Sequence, residues 1–476
     1  MIKTLGCKAN YSDGQLMEVG LLREGFMSTR TLAEADFVIV NSCTVTNEAD
    51  VQSQKLVAEI HKKNPNAKVI YTGCGAEVNP ETALKMKGVN AVIGNQDKVK
   101  AATYIQSFMT EDLASVTPVI LGSVTGYETL TSRHPMDREW AMPESKLDVK
   151  LSESSSTFRT RVFLKIQEGC DSFCTYCIIP YGRGPARSLP IETIIKNINE
   201  LVASGVQEVI LTGTNIGDYG LDWAKKLMVD DLLETILTET KLPRLRVGSL
   251  DPTEISDRMI ALMEKYPAFC PHFHVSLQNM SSKILKLMKR KYNFEDIEEV
   301  LGKLSRMNRK PFVGMDYITG FPGETDADAQ ANIEKLKSLF WTRLHVFPYS
   351  EREGTPATKL PLIVPPAKRK ERAKALQALS LERLSQHYAS MRQNFSETES
   401  GLLSGVLEQV LVESHVKGPD GTHNWVSGYS PNYQRVVFPK VQLGDKRSYN
   451  EIMNIKIHQW ITDRASGEIS WMGSVN

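Results

Sequence analysis

The chain has 476 residues, of which 41% are hydrophobic and 24% charged, an ordinary composition for a globular protein of roughly two to four domains. Its formal net charge is +1, so any binding of nucleic acid must come from local basic patches. No run of about 18 apolar residues suggests a membrane-spanning helix, and the first residues lack the apolar segment of a signal peptide. We therefore expect a cytoplasmic protein with reduced thiols and no membrane partner.

Residues 1–121 have the pattern of an α/β domain. Strands are predicted at 36–40, 68–72 and 91–93. A helix is predicted at 48–63, between the first two strands. Strands separated by helices favour a parallel sheet with helices on both faces. Residues 122–157 lose this periodicity and contain a serine-rich stretch, so we interpret them as a connector.

Alternating strand and helix patterns return from Arg159 and continue to about Ser350. The predicted strands are 162–167, 208–212, 244–247, 272–277, 312–318 and 344–348. Helices between them are predicted at 191–203, 252–264 and 327–339. Six successive β/α units predict a partial (β/α)6 barrel. We assign residues 158–395 to this domain.

The remainder of the chain combines one long helix with short strands. Residues 366–394 are rich in helix-forming residues and predict the helix. Short β-type segments follow at 405–412, 433–438 and 452–459. They predict a small all-β barrel over residues 396–476.

Cys170, Cys174 and Cys177 form a C-x3-C-x2-C run in the loop after the first barrel strand. Three closely spaced thiolates are typical ligands of an iron–sulfur cluster, and a set of three leaves one iron open. A structural zinc site would require a fourth ligand, commonly in a second C-x2-C pair that is missing nearby. A disulfide is disfavoured because three adjacent cysteines cannot pair off.

Other barrel loops also carry candidate ligand-binding groups. Gly213 and Gly217 allow close backbone approach after one strand, and the loop 319–324 repeats this logic after a later strand. Ser276 and Gln278 alternate along a strand, so both are expected to face the barrel interior. Tyr176 either packs within its loop or contacts a cofactor.

Cys7, Cys43 and Cys74 each follow a predicted strand of the N-terminal sheet. Residues that follow parallel strands lie at the same edge of a sheet. These three cysteines are therefore either buried small hydrophobes or a second metal site. Cys270 has no cysteine partner nearby and is expected to be structural.

Together these motifs resemble the radical S-adenosylmethionine (SAM) methylthiotransferase family over nearly the whole chain. The resemblance rests on residues 170–184, 320–324 and 345–350, and residues 4–8 and 41–50 are similar to its MtaB branch. Residues 428–433 resemble a TRAM domain. Met280 departs from the family pattern, which commonly has glycine there.

The resemblance implies two [4Fe–4S] clusters and SAM as cofactors. Cys170, Cys174 and Cys177 would hold the cluster whose open iron binds SAM, and an auxiliary cluster would be held by Cys7, Cys43 and Cys74. The implied SAM contacts are Tyr176, Gly213, Thr214, Asn215, Ser276, Gln278, Ile318 and Gly320. No side chain is implied as a catalytic acid or base.

The resemblance also implies a reaction and partners. One SAM would methylate a sulfur, and another would yield the radical that removes hydrogen from C2 of N6-threonylcarbamoyladenosine at position 37 of tRNA. Partners would be the tRNA anticodon stem-loop, an external reductant and a sulfur source of unknown identity. We expect a monomer. Alternatives are methylthiolation of N6-isopentenyladenosine in tRNA or of a ribosomal-protein aspartate, and a non-catalytic iron–sulfur RNA-binding protein.

Two basic runs suggest either solvated helix faces or contacts to RNA phosphates. They are Lys286, Lys289, Arg290 and Lys291, and Lys368, Arg369, Lys370, Arg372 and Lys374. In the C-terminal segment Trp425, Tyr429 and Tyr433 are either core residues or stacking platforms for bases.

Overall fold

The computed structural model describes residues 1–110, 119–121, 160–392, 395–397, 403–443, 450–462 and 469–475. The predicted connector, 122–157, lies outside these residues. Among the helices described, none combines the length and the apolar character needed to cross a membrane.

The N-terminal region is a five-stranded parallel sheet whose spatial order equals its chain order. Its strands are β1 (Ile2–Thr4), β2 (Phe37–Ser42), β3 (Lys68–Gly73), β4 (Val89–Ile93) and β5 (Val119–Leu121). Its helices are α1 (Lys8–Arg23), α2 (Asn47–Lys63), α3 (Cys74–Val78), α4 (Pro80–Lys85) and α5 (Ala101–Thr110). The parallel sheet and the three predicted strands are confirmed. The Thr46 hydroxyl caps α2 by accepting a hydrogen bond from the Ala49 N–H.

The central region contains the parallel strands of the expected partial barrel. They are β6 (Arg161–Lys165), β9 (Glu208–Thr212), β10 (Arg244–Val247), β11 (Ser249–Leu250), β12 (His272–Gln278), β13 (Phe312–Thr319) and β14 (Arg343–Pro348). Neighbours pair in that order, except that Gly248 interrupts one strand and divides it into β10 and β11. A short hairpin of β7 (Gln167–Glu168) and β8 (Arg187–Ser188) follows β6. The sixfold repeat is therefore confirmed.

Helices connect these strands and cover the outside of the barrel. They are α6 (Ile179–Arg183), α7 (Ile191–Ala203), α8 (Val229–Glu239), α9 (Asp257–Lys265), α10 (Ser282–Leu287), α11 (Phe294–Ser305), α12 (Asp326–Ser338) and α13 (Pro366–Met391). The helix predicted at 252–264 starts later than expected. A separate turn covers Pro252–Glu254, and α9 begins after Ser256, whose hydroxyl accepts from the Met259 N–H.

The C-terminal region is the expected small β-barrel. After β15 (Ser396–Glu397) come β16 (Leu403–Val416), β17 (Trp425–Tyr429), β18 (Arg435–Pro439), β19 (Ile452–Thr462) and β20 (Ile469–Val475). Strand β16 pairs with both β17 and β19, so five strands close the barrel. The sequence analysis did not predict β17 and β20 as strands. Gly428 interrupts the side-chain pattern of β17, and a Cβ there would lie 2.5 Å from the Leu411 carbonyl oxygen.

This small barrel packs against the end of the central barrel where its strands begin. Buried Glu208 forms an ion pair with Arg244 at 2.7 Å and accepts a hydrogen bond from Arg246 at 2.9 Å. Both guanidinium groups also donate to the Ser430 carbonyl oxygen of the small barrel, at 3.1 and 2.9 Å. The rings of Tyr429 and Tyr433 lie in this interface, with centroids 4.8 Å apart. The structure thus assigns these two tyrosines to packing between domains.

Candidate functional site

The cysteine loop between β7 and α6 is fixed by backbone hydrogen bonds. The Cys170 N–H donates to the Gly184 carbonyl at 2.9 Å, and the Cys177 N–H donates to the Cys174 carbonyl at 2.9 Å. Gly169 begins the loop at φ +76°, and a Cβ there would lie 1.8 Å from the Pro185 carbonyl oxygen. A larger residue at Gly169 would therefore displace the loop.

The three thiols of this loop are close enough to influence one another. Burial, together with the charges of Cys174 and Cys170, raises the pKa of Cys177 to about 12. Burial also raises the pKa of Cys170 to about 11. Because metal ligation requires the thiolate form, a cation bound at this loop would offset the cost of burial.

Arg290 contacts the loop directly, although its basic run was expected to lie in solvent or on RNA. Its Nη1 lies 3.2 Å from Cys174 Sγ and 3.5 Å from the Tyr176 hydroxyl oxygen. Its Nη2 forms an ion pair with Asp251, whose side chain is also largely buried. Arg290 is therefore part of the site, whereas the three lysines of the same run are exposed.

The second basic run also contains both arginines that point inward and lysines that are exposed. The Arg369 side chain is buried and donates to the Tyr349 carbonyl at 2.9 Å. Arg372 donates to the buried Glu324 carboxylate at 2.8 Å. The solvated-face interpretation is wrong for these two arginines, because they point inward from α13. Lys370 and Lys374 of this run are exposed.

Residues 213–215 lie beside the cysteine loop because one buried amide joins them. The Gln167 Oε1 accepts from the N–H groups of Thr214 at 3.0 Å and Asn215 at 2.9 Å, and its Nε2 donates to the Gly169 carbonyl at 2.7 Å. The Gly169 N–H in turn donates to the Thr214 hydroxyl at 3.1 Å. A Cβ at Gly213 would lie 3.0 Å from the Gln167 carbonyl oxygen, so the loops are in close contact.

Ser276 and Gln278 are half-buried on β12, whereas Val275 and Leu277 are fully buried. This difference agrees with the expected alternation. A register shift follows Val275, however, and Gln278 has a left-handed backbone at φ +60°. Met280, which departs from the family pattern, is completely buried in the barrel core.

Ile318 and Gly320 lie at the carboxyl end of β13. Gly320 has φ +72°, and a Cβ there would lie 2.4 Å from Arg369 Cγ. The Gly320 N–H donates to the Glu324 carboxylate at 2.6 Å. Tyr176 stacks edge-on against Phe321, with ring centroids 6.2 Å apart. The predicted SAM-contact residues thus all lie at the carboxyl ends of the strands or on the loops that follow them.

The second set of cysteines lies at the carboxyl ends of β1, β2 and β3. Cys7 is exposed at the start of α1, whereas Cys43 and Cys74 are buried. A Cβ at Gly6, where φ is +90°, would lie 2.5 Å from Cys43 Sγ. Burial, together with the charges of Cys74 and Cys7, raises the pKa of Cys43 to about 12. The sheet therefore brings together three cysteines that are far apart in sequence.

Helix α6 lies between the two cysteine sets. It begins two residues after Cys177, and a Cβ at Gly182 would lie 3.6 Å from the Cys74 Cβ. The side chain of Asn95, in the turn after β4, donates to the Gly182 carbonyl at 2.8 Å. The same short helix therefore follows one set directly and packs against the other.

A buried charge cluster joins the two regions beneath this helix. Its members are Asp13, Lys98, Lys165, Glu168 and Arg183, all with side chains at most 5% exposed. The Arg183 guanidinium donates to Asp13 at 3.1 Å and to Glu168 at 2.6 Å. Both lysine ammonium groups also bind Asp13. Three cations against two carboxylates leave this cluster with one excess positive charge.

The charge of Arg183 reaches the N-terminal cysteines. Burial raises the pKa of Cys74, and the positive charges of Arg183 and Lys98 oppose that rise. An excess positive charge beside three thiolates is favourable electrostatically. Neither Arg183 nor Arg290 was predicted to lie beside a cysteine set, although Arg290 belongs to a predicted basic run, because a buried arginine has the same local sequence pattern as an exposed one.

The donor set fits the two clusters that the sequence predicts. Each site has three thiols, and the seventh cysteine, Cys270, is buried elsewhere beside the Ala268 carbonyl. Within the described residues, no group of three or more His, Cys, Asp or Glu side chains is arranged to hold a single metal ion. A cubane would take each thiolate at a different iron, so its ligands need not converge on one point.

Two family models match the chain. Residues 164–336 match the Radical SAM superfamily, and residues 1–94 match a family described as Uncharacterized protein family UPF0004. Each cysteine set falls within one of these two matches.

Curated relatives cover nearly the whole chain. A threonylcarbamoyladenosine tRNA methylthiotransferase MtaB from Bacillus subtilis (strain 168) is 33% identical over 95% of this chain and 92% of the relative. An MtaB from Aquifex aeolicus is 32% identical over 87% of this chain and 94% of the relative. A tRNA-2-methylthio-N(6)-dimethylallyladenosine synthase from Clostridium botulinum (strain Loch Maree) is 29% identical over 96% and 93%.

Among solved structures, the radical SAM methyltransferase TsrM from Kitasatospora setae has a TM-score of 0.51 and 17% identity, over 73% of this chain and 72% of TsrM. At this identity the likeness concerns the fold alone. The barrel, its cysteine loop and the family match define a radical SAM enzyme. More particularly, the chain belongs to the family of MtaB tRNA methylthiotransferases. That family uses SAM and [4Fe–4S] clusters.

Proposed function

We propose that this enzyme adds a methylthio group to C2 of N6-threonylcarbamoyladenosine at position 37 of tRNA. The observation that carries the proposal is the presence of two three-cysteine sets on either side of α6. One set belongs to the barrel and the other to the N-terminal sheet. The curated MtaB relatives, which are named for this modified nucleoside, support the choice of substrate.

We assign Cys170, Cys174 and Cys177 to the cluster that binds SAM, and Cys7, Cys43 and Cys74 to the auxiliary cluster. When bound, the clusters and SAM would supply two kinds of chemistry. These are the reductive cleavage of SAM to a 5′-deoxyadenosyl radical and the transfer of a methylated sulfur. The protein holds the reactants and excludes water. Arg290 fixes Cys174 from one side, and its contact with Asp251 fixes Arg290 in turn.

The loops at the carboxyl ends of the barrel strands would position SAM. Gln167 already binds the N–H groups of Thr214 and Asn215. With those donors engaged, this loop presents mainly acceptors, which suits the amino group of SAM. We assign Ser276 and Gln278 to contacts with the polar groups of SAM. We assign Ile318 and Gly320 to contacts with the adenine of SAM, and Tyr176 to a supporting aromatic contact.

The remaining features of the proposal concern organisation and partners. We assign domains to residues 1–121, 158–395 and 396–476, with residues 122–157 as a connector between the first two. Among the described residues, every strand pairing stays within one of these three ranges. We propose a monomer that acts in the cytoplasm on the tRNA anticodon stem-loop and receives electrons from an external reductant. The exposed lysines of the two basic runs would contact RNA phosphates.

Nucleoside mass spectrometry of tRNA from a deletion strain tests the proposed function. We expect loss of 2-methylthio-N6-threonylcarbamoyladenosine together with accumulation of N6-threonylcarbamoyladenosine. Loss of a methylthiolated dimethylallyladenosine instead would assign the enzyme to the other tRNA substrate. An unchanged tRNA profile would reject a tRNA substrate and favour a protein target.

A further inference from the structure

The interior of the barrel has a polar section below the proposed SAM site. His274, Asp316 and His345 lie on β12, β13 and β14 and are half-buried, whereas their chain neighbours Val275 and Met315 are fully buried. Side chains alternate along a strand, so these three residues share the inward face. Asp316 lies opposite His345 in the strand register. On their strands, His274 and Asp316 precede Ser276 and Ile318 by two residues.

These three side chains already form one connected group. The His274 Nε2 lies 2.9 Å from the Asp316 carboxylate. The His274 and His345 rings are stacked with centroids 5.4 Å apart. Burial and the nearby His274 lower the pKa of His345 to about 4, so His345 is neutral at physiological pH. The negative charge of Asp316 thus faces a histidine partner, and the neutral His345 adds a hydrogen-bonding group.

Lys8 approaches this section from the N-terminal sheet. It directly follows Cys7 and begins α1, which packs against β6 through Tyr11 and Phe163, with ring centroids 6.4 Å apart. Protein surrounds the Lys8 ammonium, and Asp316, Tyr433 and Arg246 are near enough to act on its charge. The side chain nevertheless keeps partial solvent accessibility. Lys8 therefore lies near Asp316 with its ammonium largely enclosed by protein.

Lys8 differs from the neighbouring cations in having no counter-ion. Arg246 is paired with Glu208 at 2.9 Å, and Arg161 forms an ion pair with Glu413. Among the described residues no carboxylate lies within ion-pair distance of the Lys8 ammonium, and no acceptor is hydrogen-bonded to it. An enclosed ammonium without a partner is costly. This cost is recovered if an anion binds beside Lys8.

We propose that Lys8 binds the carboxylate of the threonylcarbamoyl group when the target adenine enters the barrel, and so selects the charged substrate. The inference rests on the proposed function and names a residue for its specificity. His274 and His345 would offer hydrogen bonds to the hydroxyl and urea groups of the same substituent. A dimethylallyl substituent has no charge and gains nothing from Lys8.

Equilibrium binding of two synthetic anticodon stem-loops tests this inference. One carries N6-threonylcarbamoyladenosine at position 37, and the other carries its carboxyl methyl ester, which removes the negative charge and adds one methyl group. We expect the cluster-loaded wild-type enzyme to bind the acid about tenfold to a hundredfold more tightly than the ester. In Lys8→Met the acid should bind only as well as the ester, and Lys8→Arg should retain the preference.

Lys3→Met is the matched control, because Lys3 is exposed on β1 of the same sheet. It should keep the full preference for the acid. Equal binding of acid and ester by the wild-type enzyme would overturn the inference without any variant. A preference that persists in Lys8→Met would overturn it as well. If the wild-type enzyme discriminates in binding but fails to methylthiolate the acid, the proposed function fails while the anion site is supported.

Discussion

Cys170, Cys174 and Cys177 share one loop, whereas Cys7, Cys43 and Cys74 follow three different strands of a sheet. The first set is held by backbone hydrogen bonds within a short segment, by Gln167 of β7 and by Arg290 from a neighbouring loop. The second set exists only when β1, β2 and β3 pair in parallel. Similar donor sets can therefore depend on very different amounts of folded structure.

The largest effect expected from this comparison is a separation of two activities. Cys174→Ala should abolish formation of 5′-deoxyadenosine from SAM, because it removes a ligand of the SAM-binding set. Cys43→Ala should retain uncoupled SAM cleavage and lose methylthiolation of tRNA. Chromatography of both products under anaerobic conditions measures this. Equal loss of both activities in a folded Cys43→Ala protein would contradict separate roles for the two sets.

Glycines next to each set should separate the sites by iron content. Gly6→Ala would force a Cβ against Cys43 Sγ, and Gly169→Ala would force one against the Pro185 carbonyl, both at positive φ. From about eight irons in a fully loaded chain, each variant should retain about four. The control is Gly25→Ala, since Gly25 has φ +84° and nothing within 4 Å of its Cβ position. If Gly25→Ala also loses iron, the iron loss in the other two variants would be due to backbone strain and not to contact with a cysteine set.

The charge cluster beneath α6 tests how firmly the two sets are held together. Asp13→Ala would leave Lys98, Lys165 and Arg183 short of a carboxylate and should reduce the free energy of unfolding by about 3–5 kcal/mol. Anaerobic chemical denaturation measures this change. Glu59→Ala removes an exposed ion pair with Lys63 and serves as the control, with no measurable change expected.

The same cluster predicts a pH dependence. Burial opposes ionisation of Asp13, but the charges of Lys165, Lys98 and Arg183 outweigh it and lower the pKa of this carboxyl. A lowered pKa in the folded state stabilises the protein fully above the unfolded-state value of about 4, and the stabilisation is lost as pH falls below it. The stability difference between wild type and Asp13→Ala should therefore shrink below about pH 4. A difference that stays constant down to pH 2 would contradict this assignment.

The smallest expected effect concerns the contact between two barrel loops. Thr214→Val removes the hydroxyl that accepts the Gly169 N–H and leaves that buried N–H unpaired. The free energy of unfolding should fall by about 1–3 kcal/mol. Thr214→Ser keeps the hydroxyl and should stay close to wild type. Both variants should have the same iron content at the N-terminal cysteine set. A spectroscopic comparison with Gly169→Ala can check this.

The sequence alone determined the fold class, the parallel N-terminal sheet, the sixfold β/α repeat, the terminal β-barrel and the positions of both cysteine sets. These features depend on local periodicity and on motif spacing, which are readable without distant contacts. Strands β17 and β20 were not predicted, because a barrel strand can contain glycines and polar residues where backbones approach closely.

Only the tertiary structure decided which charged residues belong to the site. Arg183, Arg290 and Lys8 look like ordinary basic residues in sequence, and two of the predicted solvated arginines, Arg369 and Arg372, are in fact turned inward. The physical reason is that the free-energy cost of burying a charge depends on the charged and hydrogen-bonding groups that contact it. Those partners, such as Asp13 for Arg183 and Asp251 for Arg290, come from distant parts of the chain.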